Sequence, residues 1–371
     1  MHVDIYRWTV SAGWDINLSQ DPNIHLVMVY ADNAYFTQAQ CYAELRRFFP
    51  NADIVGCSSS GNIHGNTISD EDMVIAAISF SRTKLVVKSK LIDVGDDISL
   101  VVNELLKEFP NERLKHLFVL SDGLSISGSQ LTRALNSLSI PVTGGLAGDA
   151  DRFKESWVMV NGPAKQHQIA LIGFYGDLAT SYGFATGWHE FGPERRVTRS
   201  LGGVVYEIDR KPALEIYTKY LGELSRDLPS SGLRFPLSVR DSDSARPYVR
   251  TLLGVDSSNQ SLRFAGDVPE GSLCKLMKTD IDSLIDASVN LANDIAPTES
   301  KKNSLCLAVS CVGRRLVMDQ IAEEEIEAIQ GILGSQTTVF GFYSYGEIAP
   351  FDAALCSLHN QTTTLTFLSE N

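Results

Sequence analysis

Thr338-Val339-Phe340-Gly341-Phe342-Tyr343-Ser344-Tyr345-Gly346-Glu347-Ile348 is an apolar strand that meets a glycine and runs on into a Tyr-Gly-Glu turn. Leu358-His359-Asn360-Gln361-Thr362-Thr363-Thr364-Leu365-Thr366-Phe367 follows as a polar run closed by a further strand. A segment that only filled a core would not need so many polar groups at turn positions, and shaped polar loops tend to carry function. Upstream, Leu305-Cys306-Leu307-Ala308-Val309 reads as a strand, and Ile326, Ile329 and Leu333 sit at helical spacing between the two.

The same order occurs twice earlier in the chain. His25-Leu26-Val27-Met28-Val29-Tyr30, a helix predicted from Gln38 to Phe49, and Asp53-Ile54-Val55-Gly56-Cys57 lead into Ser58-Ser59-Ser60-Gly61-Asn62-Ile63 and a strand from Met73 to Phe80. Leu117-Phe118-Val119-Leu120, a helix carrying Leu131, Ala134, Leu135 and Leu138, and Pro141-Val142-Thr143 lead into Gly144-Gly145-Leu146-Ala147-Gly148-Asp149 and strands near Trp157 and Ile169. A helical crossover between strands implies parallel pairing, and the short step after the glycine turn in the first and last units implies an antiparallel addition. These units predict an α/β fold with mixed sheets built from repeated β-α-β-(Gly turn)-β units, with Gly56, Gly144 and Gly341 at equivalent strand ends. Val197 to Ile208 and Val249 to Phe264 read as β-like, and Pro212 opens a helix in its first turn. The polar Leu228 to Gly232 stretch is the expected boundary of a two-domain chain, 1–228 and 229–371.

Composition narrows the class. The 371 residues are 44% hydrophobic and 21% charged, which is ample for packed cores. The net charge of −13 and the absence of a Lys/Arg-rich run argue against nucleic acid and anionic membrane as partners. Met1 to Trp14 shows no signal-peptide pattern, and no apolar run approaches the roughly 18 residues of a membrane helix. Cys41, Cys57, Cys274, Cys306, Cys311 and Cys356 are scattered without a Cys-x-x-Cys pair, so neither a disulfide framework nor structural zinc is expected. A cytoplasmic protein is the expectation, and a homo-oligomer is compatible with it.

Ligands of α/β sheets collect beyond the carboxyl ends of parallel strands. Those ends here carry Asp122, Asp149, Cys311 and Arg314, with Glu347 after the last one. Asp122, in Asp-Gly, reads either as an Asx-turn residue or as a ligand group. Arg314 could grip a carboxylate through its fork of donors, or pair with Glu347 across a cavity between the two halves. The Gly144–Gly148 run lacks a Gly-x-Gly start and a following apolar helix, which argues against dinucleotide binding. Gly-x-Ser-x-Gly is absent around Ser58 to Ser60, leaving Cys57 and Cys311 as the nucleophiles of a Cys-dependent hydrolase, or as small buried residues.

Val55-Gly56-Cys57-Ser58-Ser59-Ser60-Gly61, Ser121-Asp122-Gly123-Leu124, Gly144 to Asp149 and Gly192-Pro193-Glu194-Arg195-Arg196-Val197-Thr198 resemble the N half of the FIST family. Ser310-Cys311-Val312-Gly313-Arg314, Tyr345-Gly346-Glu347 and His359-Asn360-Gln361-Thr362 resemble its C half. The resemblance covers nearly the whole chain in the family's order. It implies a small-ligand sensor in signal transduction rather than an enzyme. For stand-alone bacterial members it implies haem as cofactor, nitric oxide as the gas ligand and a histidine kinase as partner. In that case His359 is the first expected iron ligand, oriented by Asn360 and Gln361, and His189 the second. The alternative sensor takes a small organic ligand such as an amino acid, held by Arg314 and the strand-end carboxylates.

Overall fold

A computed structural model describes residues 1–370 except 17, 94, 111, 243–244, 298–302 and 353–354. Its frame is three six-stranded mixed sheets, each built around one parallel strand pair. Leu26–Ala31 pairs parallel with Asp53–Ser58, Leu114–Ser121 with Val142–Leu146, and Ser304–Cys311 with Thr337–Ser344. Each first strand also takes an antiparallel neighbour, respectively Asp72–Ser79, Gln168–Gly176 and Thr363–Glu370. Beyond these lie the antiparallel strands His2–Thr9, Thr83–Leu91 and Leu178–Ala185. The three predicted units are therefore real, and the α/β class with mixed sheets holds.

Strands buried on both faces read as continuous apolar runs, and their alternation sends successive side chains to opposite sides. Leu26, Met28 and Tyr30 enter a cluster with Phe118, Leu120, Leu305, Leu307 and Val309, contributed by all three sheets. Val27, Val29 and Ala31 point the other way, into a cluster with Leu45 and Phe49 around the helix Ala39–Phe48. Leu117 and Val119 meet the helices Ile98–Lys107 and Gly128–Leu135, and Cys306 and Ala308 meet Ile281–Ile295 and Ala322–Leu333. One central core thus joins three sheets, each covered outside by its own helices. Each large side chain in it stabilises the fold by about 1.5–3 kcal/mol through burial.

Gly56, Gly144 and Gly341 occupy equivalent positions, but they lie inside strands and not at turns. They pair with Val29, Val119 and Ala308 of the adjacent first strands. A Cβ on any of them would stand 2.1, 2.0 or 1.7 Å from the partner's carbonyl oxygen, so no larger residue fits. Two residues further on, each unit hands over to the next. Gly148 donates its N–H to the carbonyl of Ser58 (3.0 Å), Tyr345 to that of Leu146 (3.1 Å) and Ser60 to that of Tyr343 (2.8 Å). Each acceptor is the second residue after its glycine and each donor the fourth, which closes a cyclic, threefold-like junction. The strand after the junction joins a neighbouring unit's sheet: Asn62–His64 the third, Val158–Val160 the first, and Gly346–Asp352 the second.

The third unit is interrupted after Leu178–Ala185 by an eight-stranded antiparallel sheet, from His189–Leu201 to Leu273–Lys278, with the helix Ala213–Leu221 against it. Its cluster draws Val197, Val205 and Tyr217 together with Leu237, Leu262 and Leu276. Residues 228 and 229, the expected boundary, lie between the 3-10 turns Gly222–Asp227 and Ser230–Arg234 of this second body. No helix of the described residues is long and apolar enough to cross a membrane.

Candidate functional site

The inserted body lies over the carboxyl ends of the parallel strands of the second and third units. Between them opens a cleft of about 690 Å³. Phe153, Leu316 and Val317 line it from the three-sheet body, and Leu233, Arg234 and Leu253 from the inserted one. Arg234 is exposed and has no ion-pair partner among the described residues. A smaller void of about 150 Å³, reaching Gly123 and Tyr345, shares Phe153 and Leu253 with the main cleft.

Phe153 is held there by the strand ends. Asp149 follows Val142–Leu146 and accepts from the N–H groups of Phe153 (2.8 Å), Lys154 (2.9 Å) and Glu155 (3.1 Å). The Tyr345 hydroxyl also donates to Asp149, and its ring stacks on Phe153 at 4.6 Å between centroids and 11° between planes. Burial, and then the hydrogen bond to Asp149, raise the Tyr345 pKa, so the phenol stays a donor. Asp149 and Tyr345 together shape a loop whose tip, Phe153, is 40% exposed at the cleft wall.

The other expected residues are placed as follows. Asp122 accepts from the N–H groups of Leu124, Ser125 and His167 and from the hydroxyls of Ser125 and Ser156, so the Asx-turn reading is the one realised. Burial pushes its carboxyl up, but these bonds outweigh burial and leave its pKa lowered. The expected pairing of Arg314 with Glu347 is not formed. Arg314 is fully buried and pairs with Glu325, while also donating to the carbonyls of Thr186 and Leu284 and to the Ser288 hydroxyl. A guanidinium this deep needs a carboxylate and several acceptors at once, and the helix Ala322–Leu333 presents Glu325 on its buried face. Arg314 therefore ties helices together and does not wall the cleft.

Glu347 is buried too, accepting from the hydroxyls of Ser344 (2.6 Å) and Thr362 (2.8 Å) and from the Thr362 N–H (3.3 Å). Burial raises its pKa to about 7 despite those bonds. Ser59 and Asn62 make the same contact in the first unit, at 2.5 Å, so the Glu347 position belongs to the threefold junction. Asn360 donates to the His359 carbonyl, and its Oδ1 is buried with no partner among the described residues. Cys57 and Cys311 are buried, and burial pushes both thiols up, away from the thiolate that a nucleophile requires.

Neither histidine fits an iron ligand. The His359 ring lies against Phe184 at 4.0 Å and Phe351 at 5.7 Å, and its Nε2–H donates to the Ala349 carbonyl (3.0 Å). Burial lowers its pKa to about 3, so the ring is a neutral core group inside the hairpin. His189 is exposed at the start of its strand, 3.3 Å from the Ser283 hydroxyl. Among the described residues no group of three or more His, Cys, Asp or Glu could hold a metal ion.

Arg234, Phe153 and Leu316 are the cleft residues that sequence reading missed. One signal was available: Pro229-Ser230-Ser231-Gly232 is flanked by Leu228, Leu233 and Phe235, more apolar surface than a linker needs.

The model of the FIST N domain matches residues 25–211, and that of the FIST C domain residues 213–350. An uncharacterized protein of Methanocaldococcus jannaschii is 24% identical over 315 residues, which cover 78% of this chain and 60% of that protein. A cyanuric acid hydrolase from A. caulinodans aligns over 100% of this chain and 99% of its own, at 8% identity and a TM-score of 0.35.

Proposed function

Because this chain belongs to the FIST family, whose domains mark signal-transduction sensors, we propose that it is a binding module for a small organic acid seated in the interdomain cleft. The carrying observation is the 690 Å³ cleft with apolar side chains from both bodies and, at its edge beside Asp151 and Asp227, the Arg234 guanidinium, which has no ion-pair partner among the described residues. Its size falls in the usual range for small-molecule sites. Leu233, Leu253, Leu316 and Val317 take the apolar part of the ligand, and Arg234 takes a carboxylate through its donor fork. A ligand that touches both bodies favours whichever relative arrangement fits it best, and that population shift is the signal. Binding rather than turnover is the proposed activity, supported by the burial of Cys57 and Cys311, which pushes both thiols up. A histidine kinase as recipient of the signal rests on the family resemblance, and co-purification with candidate kinases tests it.

The direct test is a thermal-shift screen of amphipathic organic acids, repeated on Arg234→Ala and on Leu316→Trp, which fills the cleft. A ligand at about 100 times its Kd stabilises by ~2.7 kcal/mol. Both variants should lose most of that shift. Hits that stabilise both variants as well as the wild type would place the ligand elsewhere. The haem-based alternative has its own readout: hemin titration should give no saturable Soret band that His359→Ala removes.

A further inference from the structure

A second cleft, of about 230 Å³, lies on another side of the contact between the two bodies. Ser129 and Arg133 on the helix Gly128–Leu135 form one wall, Ser357 and Leu358 on the strand Leu355–His359 another, and Arg250 of the inserted body lies at its base. Arg250 is only 7% exposed. Its Nε donates to the Asp267 carbonyl (3.0 Å), and its Nη1 to the carbonyls of Val249 (3.0 Å) and Leu358 (3.2 Å). Its Nη2 has no hydrogen-bond partner, and no carboxylate lies within ion-pair distance, among the described residues. Asp267 and Asp241 also line the cleft, and each is already engaged by another residue of its wall. Asp267 pairs with Arg133 at 3.0 Å, and Asp241 accepts from the Tyr248 hydroxyl at 2.8 Å.

A buried cation without a counter-ion is costly, and removing its charge from water has to be offset by something. Three backbone carbonyls offset part of it. They also fix the guanidinium plane, with its Cζ 4.3 Å from the Tyr248 ring centroid, so that the free Nη2 edge is preorganised. We propose that this cleft is a binding site for a small carboxylate, which accepts from Arg250 Nη2 while its apolar remainder lies against Leu358 and Phe351. The site is separate from the Arg234 cleft and shares none of its lining residues.

Benzoate is the probe, titrated calorimetrically into the full chain carrying Arg234→Ala, so that the larger cleft is disarmed. Saturable binding of one benzoate per chain is expected. Adding Arg250→Met should weaken it roughly tenfold or more, the scale of one charge-assisted hydrogen bond. Ser357→Tyr fills the cleft from a half-buried strand position and leaves every Arg250 bond in place, so it decides the matter if Arg250→Met does not fold. It should abolish binding with an unchanged melting curve. No saturable binding to the Arg234→Ala chain would overturn the proposal, and so would undiminished binding to a folded Ser357→Tyr protein. Either result leaves the Arg234 site untouched, because that site is already silenced.

Discussion

Glu347→Gln tests the account of the threefold junction most directly. The Glu347 carboxyl is fully buried, and burial raises its pKa from 4.5 to about 7. The folded protein then keeps this proton to higher pH than the unfolded chain does. Between pH 4.5 and about 7 the native state binds more protons, so stability from this group is complete at the acid end and is lost as pH rises. A shift of this size corresponds to about 3 kcal/mol at ~1.4 kcal/mol per pH unit. Glutamine keeps the shape and does not titrate: its amide oxygen accepts from the Thr362 N–H and hydroxyl, and its NH2 donates to the Ser344 hydroxyl, which turns to accept. The variant and the wild type should therefore have similar stability near pH 5 and diverge toward pH 8, with the variant the more stable. At about 2 cal/mol/K of unfolding entropy per residue, a chain of this length shifts its Tm by roughly 4 °C for 3 kcal/mol. Melting curves of both proteins from pH 5 to 8 supply the measurement. Taking the difference removes every other titrating group. Parallel curves across that window would refute the reasoning.

Three further outcomes follow from the packing. Alanine at Gly56, Gly144 or Gly341 should cost more than about 3 kcal/mol or prevent folding, and to a similar degree at all three, because each Cβ meets a strand carbonyl; urea titration compares them. Glu325→Gln leaves the Arg314 charge buried without its partner, and should cost about 3–5 kcal/mol in the same assay while sparing ligand binding in the Arg234 cleft. Cys57 and Cys311 should resist a thiol reagent at pH 8 in the native state and react only after unfolding, as quantified by mass spectrometry. Fast native labelling of either would contradict the burial described here.

Much of this fold is legible in single residues and short runs. Leu26 to Ala31 is apolar at every position because both faces of a parallel strand are covered, and the same signature marks Leu305 to Val309. The glycines repeat because the neighbouring carbonyl leaves no room for a Cβ, a local steric demand that any copy of the unit must meet. The family resemblance rests on those same stretches. Side-chain partners obey different physics. Arg314 stands the expected distance beyond its strand, yet its carboxylate comes from Glu325, because the turn of the helix Ala322–Leu333 decides which acid reaches the buried guanidinium. His359 carries amide neighbours like an oriented ligand, but in the hairpin, where it pairs with Glu347, its Nε2 bonds the Ala349 carbonyl and its ring lies beside Phe184, from a strand far earlier in the chain. Arg234 and Phe153 meet across the cleft only because the inserted body folds back over the strand ends. The exchange of strands between units and the closure over that cleft are contacts between segments far apart in the chain. They are chosen by how three sheets close on one core, and no local periodicity encodes that choice.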